Sequence, residues 1–220
     1  MSENQKDYIP LVFPLNKPFI ELSKAEAQEY FDWFISHIDE RSDYLRQKVS
    51  AGLNIPIESL DFSLDSLKPI WKWFLHVAET TESSQIDIEE LEQLLEGQSE
   101  VVRHLIEQPR EILSVFTEYV LRDIGMYVAK VFTSNYDVIR WTIKRTPKRY
   151  VHVNEPLLIG FIDDNEAYPK PFYPDLEPVQ FTRMPALKLI RQQQPSEDDL
   201  YNQCIKWIQW ILKNKPSSYE

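Results

Sequence analysis

The sequence predicts a predominantly helical α+β fold in which a small antiparallel sheet, formed roughly by residues 137–163, packs on helices. Apolar residues recur at helical spacing through much of residues 23–133 and again through 196–213. Between these parts, in residues 139–144, apolar residues occur at every second position, which is typical of a strand with one buried face. The whole chain, 1–220, is expected to form a single domain, because it shows no internal repeat and no long linker.

The N-terminal segment, residues 1–22, is expected to be extended, because prolines interrupt its apolar residues. Ser23 and Glu26 then form the pattern of a capping box, in which each side chain accepts a hydrogen bond from the other residue's backbone N–H. We expect the helix that follows to break near Asp39, which would cap a second stretch ending at Gly52.

Further helices are expected before the change of spacing. Ser63 is the expected cap of a helix with a strongly apolar face. A polar loop at 80–85 and a short acidic helix at 86–97 come next. The longest helix is expected to begin near Arg110 and to be apolar over most of its circumference. Gly125 lies within it, at a cost of about 1 kcal/mol relative to Ala unless close packing requires the missing side chain.

The C-terminal part is expected to contain the sheet, a loop and a last helix. Ile139, Trp141 and Ile143 share one face of a strand, so the Trp141 ring is expected to be buried. Residues 164–195 are rich in proline and are expected to form an irregular loop. Ser196 is the expected cap of the C-terminal helix.

The cysteines and glycines limit the chemistry that the chain can perform. Its single cysteine, Cys204, excludes an internal disulfide and a multi-cysteine metal site. Its four glycines lie too far apart for a phosphate-binding or dinucleotide-binding loop, or for a G-x-S-x-G nucleophile elbow. We therefore predict no catalytic, cofactor-binding or metal-binding residues and no cofactor. A site assembled from distant positions is still compatible with the sequence.

We expect neither export nor membrane insertion from the sequence. No basic region followed by an apolar run opens the chain, as it would in a signal peptide. No apolar stretch approaches the ~20 residues that a membrane-spanning helix needs. A cytoplasmic location without membrane contact is expected.

Charge is divided unevenly along the chain. The net charge is −11, but residues 1–123 contain 11 Lys and Arg against 24 Asp and Glu, whereas residues 124–220 contain 13 against 11. An acidic surface repels the phosphates of nucleic acids and attracts basic proteins. We therefore expect no nucleic acid partner and a basic protein partner; the alternative is a solvated face that keeps the chain in solution. The predicted partner-binding residues are Asp87, Glu89, Glu90, Glu92 and Glu96.

A second, basic group of residues lies around the predicted strand. Its members are Arg140, Lys144, Arg145, Lys148 and Arg149. Such a patch can bind an anion or an acidic partner. Two structural alternatives remain, because the same charges could pair with acidic helices nearby or protect a sheet edge from aggregation.

Three segments together resemble a group of uncharacterised bacterial α+β proteins. The segments are Leu60 to Leu67 with Trp71 and Trp73, Gly125-Met126-Tyr127 with Ala129 and the Trp141 strand, and Val153 to Leu158. They are similar to the strand-to-helix opening, the middle helix with the first hairpin strand, and the closing strand of those proteins. Some similar proteins accompany toxins as immunity proteins. The resemblance therefore implies an α+β fold and a role in binding, and it implies no catalytic residue.

The leading expectation for function is a non-enzymatic protein-interaction domain, of the type of an immunity antagonist that binds a basic partner. One alternative is an enzyme, most plausibly a hydrolase, whose active site is assembled from distant positions. Another is an accessory protein of a phage or mobile element that acts by binding.

Overall fold

The computed structural model describes residues 8–12, 18–82, 111–163, 172–191 and 193–212. In these ranges it contains five α-helices and two pairs of antiparallel strands, which confirms the predicted helix-dominated α+β class. The helices are α1 (Lys24–Leu53), α2 (Leu67–Val77), α3 (Val115–Asn135), α4 (Pro178–Ala186) and α5 (Asp199–Leu212). The strands are β1 (Thr80–Glu82), β2 (Glu111–Leu113), β3 (Arg140–Ile143) and β4 (Pro156–Ile159), and short 3₁₀ turns occupy Phe19–Glu21 and Ile57–Ser59.

The N-terminus of α1 has the predicted capping box. The Ser23 hydroxyl accepts a hydrogen bond from Glu26 N at 3.3 Å, and the Glu26 carboxylate accepts one from Ser23 N at 2.8 Å. The predicted break near Asp39 is wrong, because α1 continues without interruption to Leu53. Instead of capping a new helix, the Asp39 carboxylate forms an ion pair with Lys130 of α3 at 2.9 Å.

The next two helices begin later in the chain than predicted. Ser63 does not cap α2, which begins at Leu67 after a turn in which the Ser63 hydroxyl accepts from Ser66 N at 3.3 Å. Helix α3 begins at Val115 rather than near Arg110, because Ser114 supplies the cap and accepts from Thr117 N at 3.1 Å.

The expected polar loop at 80–85 also differs from the structure. Its first residues, Thr80–Glu82, form β1 and pair antiparallel with β2. Thr80 lies opposite Leu113, whose side chain is buried. This pairing is long-range in sequence, so local polarity gave no sign of it.

Helix α3 is the centre of the molecule and is buried over most of its circumference, as predicted. Its one buried carboxylate, Asp123, accepts from Arg41 of α1: Nε–Oδ1 is 3.1 Å and Nη2–Oδ2 is 2.5 Å. The Tyr8 hydroxyl donates to the same carboxylate, and Arg41 Nη2 donates to the Ile9 carbonyl at 2.9 Å. A buried ion pair is stable only when further hydrogen bonds complete it. Arg41 and Asp123 thus join α1, α3 and the segment 8–12.

The predicted sheet is confirmed in the strands β3 and β4, where Arg140 lies opposite Ile159. Trp141 is on β3, as expected, but it is half-buried rather than buried. Its ring packs edge-on against Phe34 of α1, with 5.8 Å between the centroids. Within β4, Leu158 also exchanges two backbone hydrogen bonds, of 2.8 and 2.9 Å, with Leu176, which lies outside the four strands.

The predicted irregular loop at 164–195 contains a helix, α4, which the sequence analysis missed. Pro178 is the first residue of α4, where a missing N–H costs nothing, and the preceding Glu177 is its N-cap. The C-terminal helix was predicted correctly, although α5 begins at Asp199 rather than at Ser196.

Gly125 allows α4 to lie directly against α3. A Cβ atom at this position would lie 2.9 Å from the Pro178 carbonyl oxygen and 3.0 Å from Val179 Cα. The Thr182 hydroxyl of α4 donates to the Leu121 carbonyl of α3 at 3.1 Å, which holds the two helices together. The missing side chain at Gly125 is therefore required by close packing.

We expect Gly125→Ala to lower the free energy of unfolding by about 1–3 kcal/mol. Ala is favoured over Gly by roughly 1 kcal/mol in a helix interior, but the added methyl would strike backbone atoms of Pro178 and Val179, which cannot rotate away. Urea denaturation measures the difference. Ser134→Ala, at an exposed position of the same helix, is the control and should stay within about 0.5 kcal/mol of the parent. A Gly125→Ala protein as stable as the parent would contradict this packing argument.

Candidate functional site

A cleft of about 490 Å³ opens between the turn after β3, the segment that precedes α4, and helices α4 and α5. We call it the carboxylate cleft, because the side chains of Glu155, Asp175 and Glu177 line it. Its apolar wall is formed by Leu176, Phe181 and Trp207. Clefts that combine apolar walls with a few converging polar groups are the usual form of binding and active sites.

Glu177 is the most perturbed acid of the cleft. It is 8% exposed, and its carboxylate accepts hydrogen bonds from Val179 N at 3.2 Å and from Gln180 N. Burial raises the pKa of Glu177 to about 7, and the negative charge of Glu155 adds to this, against the opposing effect of the two backbone N–H donors. The carboxyl is therefore close to half-ionised at neutral pH.

His152 and Glu155 form a pair that also lines the cleft. His152 Nδ1 lies 3.0 Å from Glu155 Oε2, and the two side chains are 24% and 17% exposed. The hydrogen bond to Glu155 raises the pKa of His152, and this effect exceeds the opposing effect of burial. The contact with Glu155 therefore favours the protonated form of the imidazole.

Asp175 is held by two donors. Lys144 Nζ forms an ion pair with Asp175 Oδ2, and the Tyr150 hydroxyl donates to the same oxygen at 2.7 Å. The Asp175 side chain is only 7% exposed, whereas that of Lys144 is 41% exposed. Burial raises the pKa of Tyr150, and the hydrogen bond to Asp175 raises it further. Tyr150 is thus a permanent donor to this carboxylate.

The apolar wall is aromatic and partly open to solvent. Trp207 of α5 stands perpendicular to Phe181 of α4, with 5.7 Å between the ring centroids. Gln203 Nε2 donates to the Phe181 carbonyl at 2.7 Å, which fixes α5 against α4. At the rim, Met184 is 57% exposed and Val151 is 77% exposed. An incoming group would meet an apolar surface before it reached the carboxylates.

The acidic residues that were predicted to bind a partner lie outside the described residues, because all of them fall within 83–110. This applies to Asp87, Glu89, Glu90, Glu92 and Glu96. Their role as a partner-binding surface stays a prediction.

The residues of the predicted basic group differ in their surroundings. Lys144 is paired with Asp175, and the Arg145 guanidinium donates to Gln28 of α1. Arg140 is exposed on β3, while Lys148 and Arg149 are exposed in the turn that follows. Lys144 and Arg145 thus contact different parts of the molecule, and the role of the group in binding an anion or an acidic partner stays a prediction.

Sequence reasoning missed every carboxyl group of the carboxylate cleft. The four ionisable residues that line it, His152, Glu155, Asp175 and Glu177, come from two segments that pack together only in the folded chain. One local signal was available, since Glu177 directly precedes Pro178 and a proline at the first helical position marks the N-cap before it. The spacing of His152 and Glu155 carried no such signal, because these residues lie in a turn.

Among the described residues, no group of three or more His, Cys, Asp or Glu side chains could hold a metal ion. None of the described helices combines the length and apolarity needed to cross a membrane. No family model, curated protein or solved structure matches the chain.

The raised pKa of Glu177 predicts a specific dependence of stability on pH. Because the folded pKa of about 7 exceeds the ordinary value of 4.5, the contribution of Glu177 is fully present below pH 4.5 and is lost as the pH rises to about 7. Glu177→Gln removes this titration. The stability of the parent relative to Glu177→Gln should therefore fall between pH 4.5 and 7, by at most about 1.4 kcal/mol per pH unit.

Denaturation of both proteins at several pH values measures this difference. Glu58→Gln, at an exposed glutamate, is the matched control and should differ from the parent by a constant amount over the same range. A pH-independent difference for Glu177→Gln would show that Glu177 titrates normally.

Proposed function

We propose that the protein is an interaction domain that binds a basic partner, and that the carboxylate cleft receives a Lys or Arg side chain of that partner. One observation carries the proposal: three carboxyl groups, of Glu155, Asp175 and Glu177, line one open cleft beside aromatic side chains. Lys144 and His152 provide the opposing charge, so with all three acids ionised the group is negative overall whether or not His152 is protonated.

The shape of the cleft also suits such a side chain. Lys and Arg have long apolar stems that end in a charged group. The stem would lie against Phe181 and Trp207, and the cation would reach the carboxylates below them. An Arg guanidinium can in addition stack on an indole ring, which favours Trp207 as the contact residue.

The buried carboxyl of Glu177 favours a cationic ligand over a neutral one. A neutral ligand would leave the raised pKa of Glu177 in place, whereas a cation favours the ionised form of this carboxyl. Cation binding should therefore release a proton, and affinity should rise as the pH rises through about 7.

The proposal agrees with the expected immunity-type role, in which an acidic protein holds a basic toxin in a complex. The excess of acid in residues 1–123 would attract the same partner at longer range. The cleft would then provide the specific contact after encounter.

Titration with Nα-acetyl-arginine amide tests the proposal, with Nα-acetyl-citrulline amide as a neutral probe of nearly the same shape. We expect the arginine probe to shift the indole signal of Trp207 in NMR spectra, with a dissociation constant on the order of 1 mM. The citrulline probe should have little effect. Binding should weaken several-fold when the salt concentration is raised to 0.5 M. It should also weaken several-fold when the pH is lowered from 8 to 5.5.

Glu177→Gln and Glu155→Gln should each weaken binding of the arginine probe several-fold, whereas Glu58→Gln should leave it unchanged. Equal binding of the arginine and citrulline probes, or equal effects of all three substitutions, would refute the proposal.

A second candidate is a hydrolase, favoured by the presence of Glu177 and His152 in one cleft. Acid–base catalysis works best with groups that titrate near the working pH, and the pKa of Glu177 is about 7. Assays with p-nitrophenyl acetate, p-nitrophenyl phosphate and p-nitrophenyl glycosides test it. Turnover that is lost in both Glu177→Gln and His152→Gln would favour the hydrolase. Turnover no faster than the buffer background would favour the binding domain.

A further inference from the structure

A second cleft, also of about 490 Å³, lies over the outer face of the β3–β4 pair. We call it the sheet cleft. Val138, Arg140, Thr142 and Lys144 line it. These residues alternate with Ile139 and Trp141, which point to the opposite, inner face and pack in the core. The basic face of the predicted strand therefore lines a concave site.

Arg140 is the residue of the sheet cleft whose positive charge is available to a ligand. It is exposed, and in the described part of the chain no acidic side chain forms an ion pair with it. Asp175 also lines the cleft, but its carboxylate is paired with Lys144 and accepts from Tyr150. The unbalanced charge of this site is therefore positive.

The remaining walls of the sheet cleft are apolar. Val138 is 47% exposed and Tyr173 is 64% exposed, and the two belong to different segments that border the cleft. Ile159 and Ile162 continue the apolar surface beside them. Apolar side chains left open to solvent beside one net positive charge suit a ligand that has an apolar body and one anionic end.

We propose that the sheet cleft binds a small organic acid, with the carboxylate on Arg140 and Lys144 and the apolar body between Val138 and Tyr173. The fork of N–H donors in a guanidinium matches the two oxygens of a carboxylate. The volume of about 490 Å³ lies within the range of small-molecule sites. This site is separate from the carboxylate cleft and does not depend on the function proposed for it.

A free phosphate ion would satisfy the same cations but would leave the apolar walls in contact with water. The walls therefore favour the carboxylic acid over the inorganic ion. Benzoate, benzamide and inorganic phosphate distinguish these possibilities, since benzamide keeps the ring without the charge and phosphate keeps the charge without the ring.

The test is an NMR titration of the full chain with each of the three probes. Benzoate should give saturable shifts of the backbone signals of residues 138–144 and 159–162, and benzamide and phosphate should bind at least tenfold more weakly. Arg140→Gln should weaken benzoate binding at least tenfold. Arg149→Gln, at an exposed arginine outside the cleft, should not change it.

Four results would overturn the proposal. They are no saturable shift with benzoate, equal binding of benzamide, equal binding of phosphate, and equal losses in Arg140→Gln and Arg149→Gln. Because Arg140 is exposed on its strand, its replacement should leave the fold intact, which the spectrum of the free variant verifies.

Discussion

The candidate site depends on the close approach of α4 to α3 at Gly125. A side chain there would meet the backbone of Pro178 and Val179, so only glycine lets the first turn of α4 lie on the central helix. That contact places Glu177 in a buried position at the start of α4, where the carboxylate must cap the helix and also line a cleft. The raised pKa of Glu177 thus follows mainly from burial by helix packing, and the negative charge of Glu155 makes a smaller contribution.

Asp175 separates two clefts of opposite character. It lines both of them, and its carboxylate is shared by Lys144 and Tyr150. On one side lie the carboxyl groups of Glu155 and Glu177, and on the other side lies the guanidinium of Arg140. A single ion pair, of which only the Asp175 side is buried, can therefore divide a surface into an acidic and a basic site, because each cleft shows only the charges that the pair does not neutralise.

Sequence patterns predicted those elements whose signals are local. The capping box of Ser23 and Glu26 and the alternation around Trp141 both lie within a few residues, and both are present in the structure. Helix α4 was missed because Pro178 and Pro185 look like loop residues and its stability comes from packing on α3, some 50 residues earlier in the chain. The acids of the carboxylate cleft were missed for a similar reason: Glu155 and Glu177 become one site only when Leu176 pairs with Leu158.

The most direct test of this account is the titration of the Glu177 side-chain carboxyl, followed by ¹³C NMR and assigned by its loss in Glu177→Gln. The account predicts a pKa of about 7 for Glu177, because its carboxyl is buried by the contact of α4 with α3. If Glu177 instead titrates near the ordinary value of 4.5, its carboxyl is solvated like that of a surface acid, and the packing argument is contradicted.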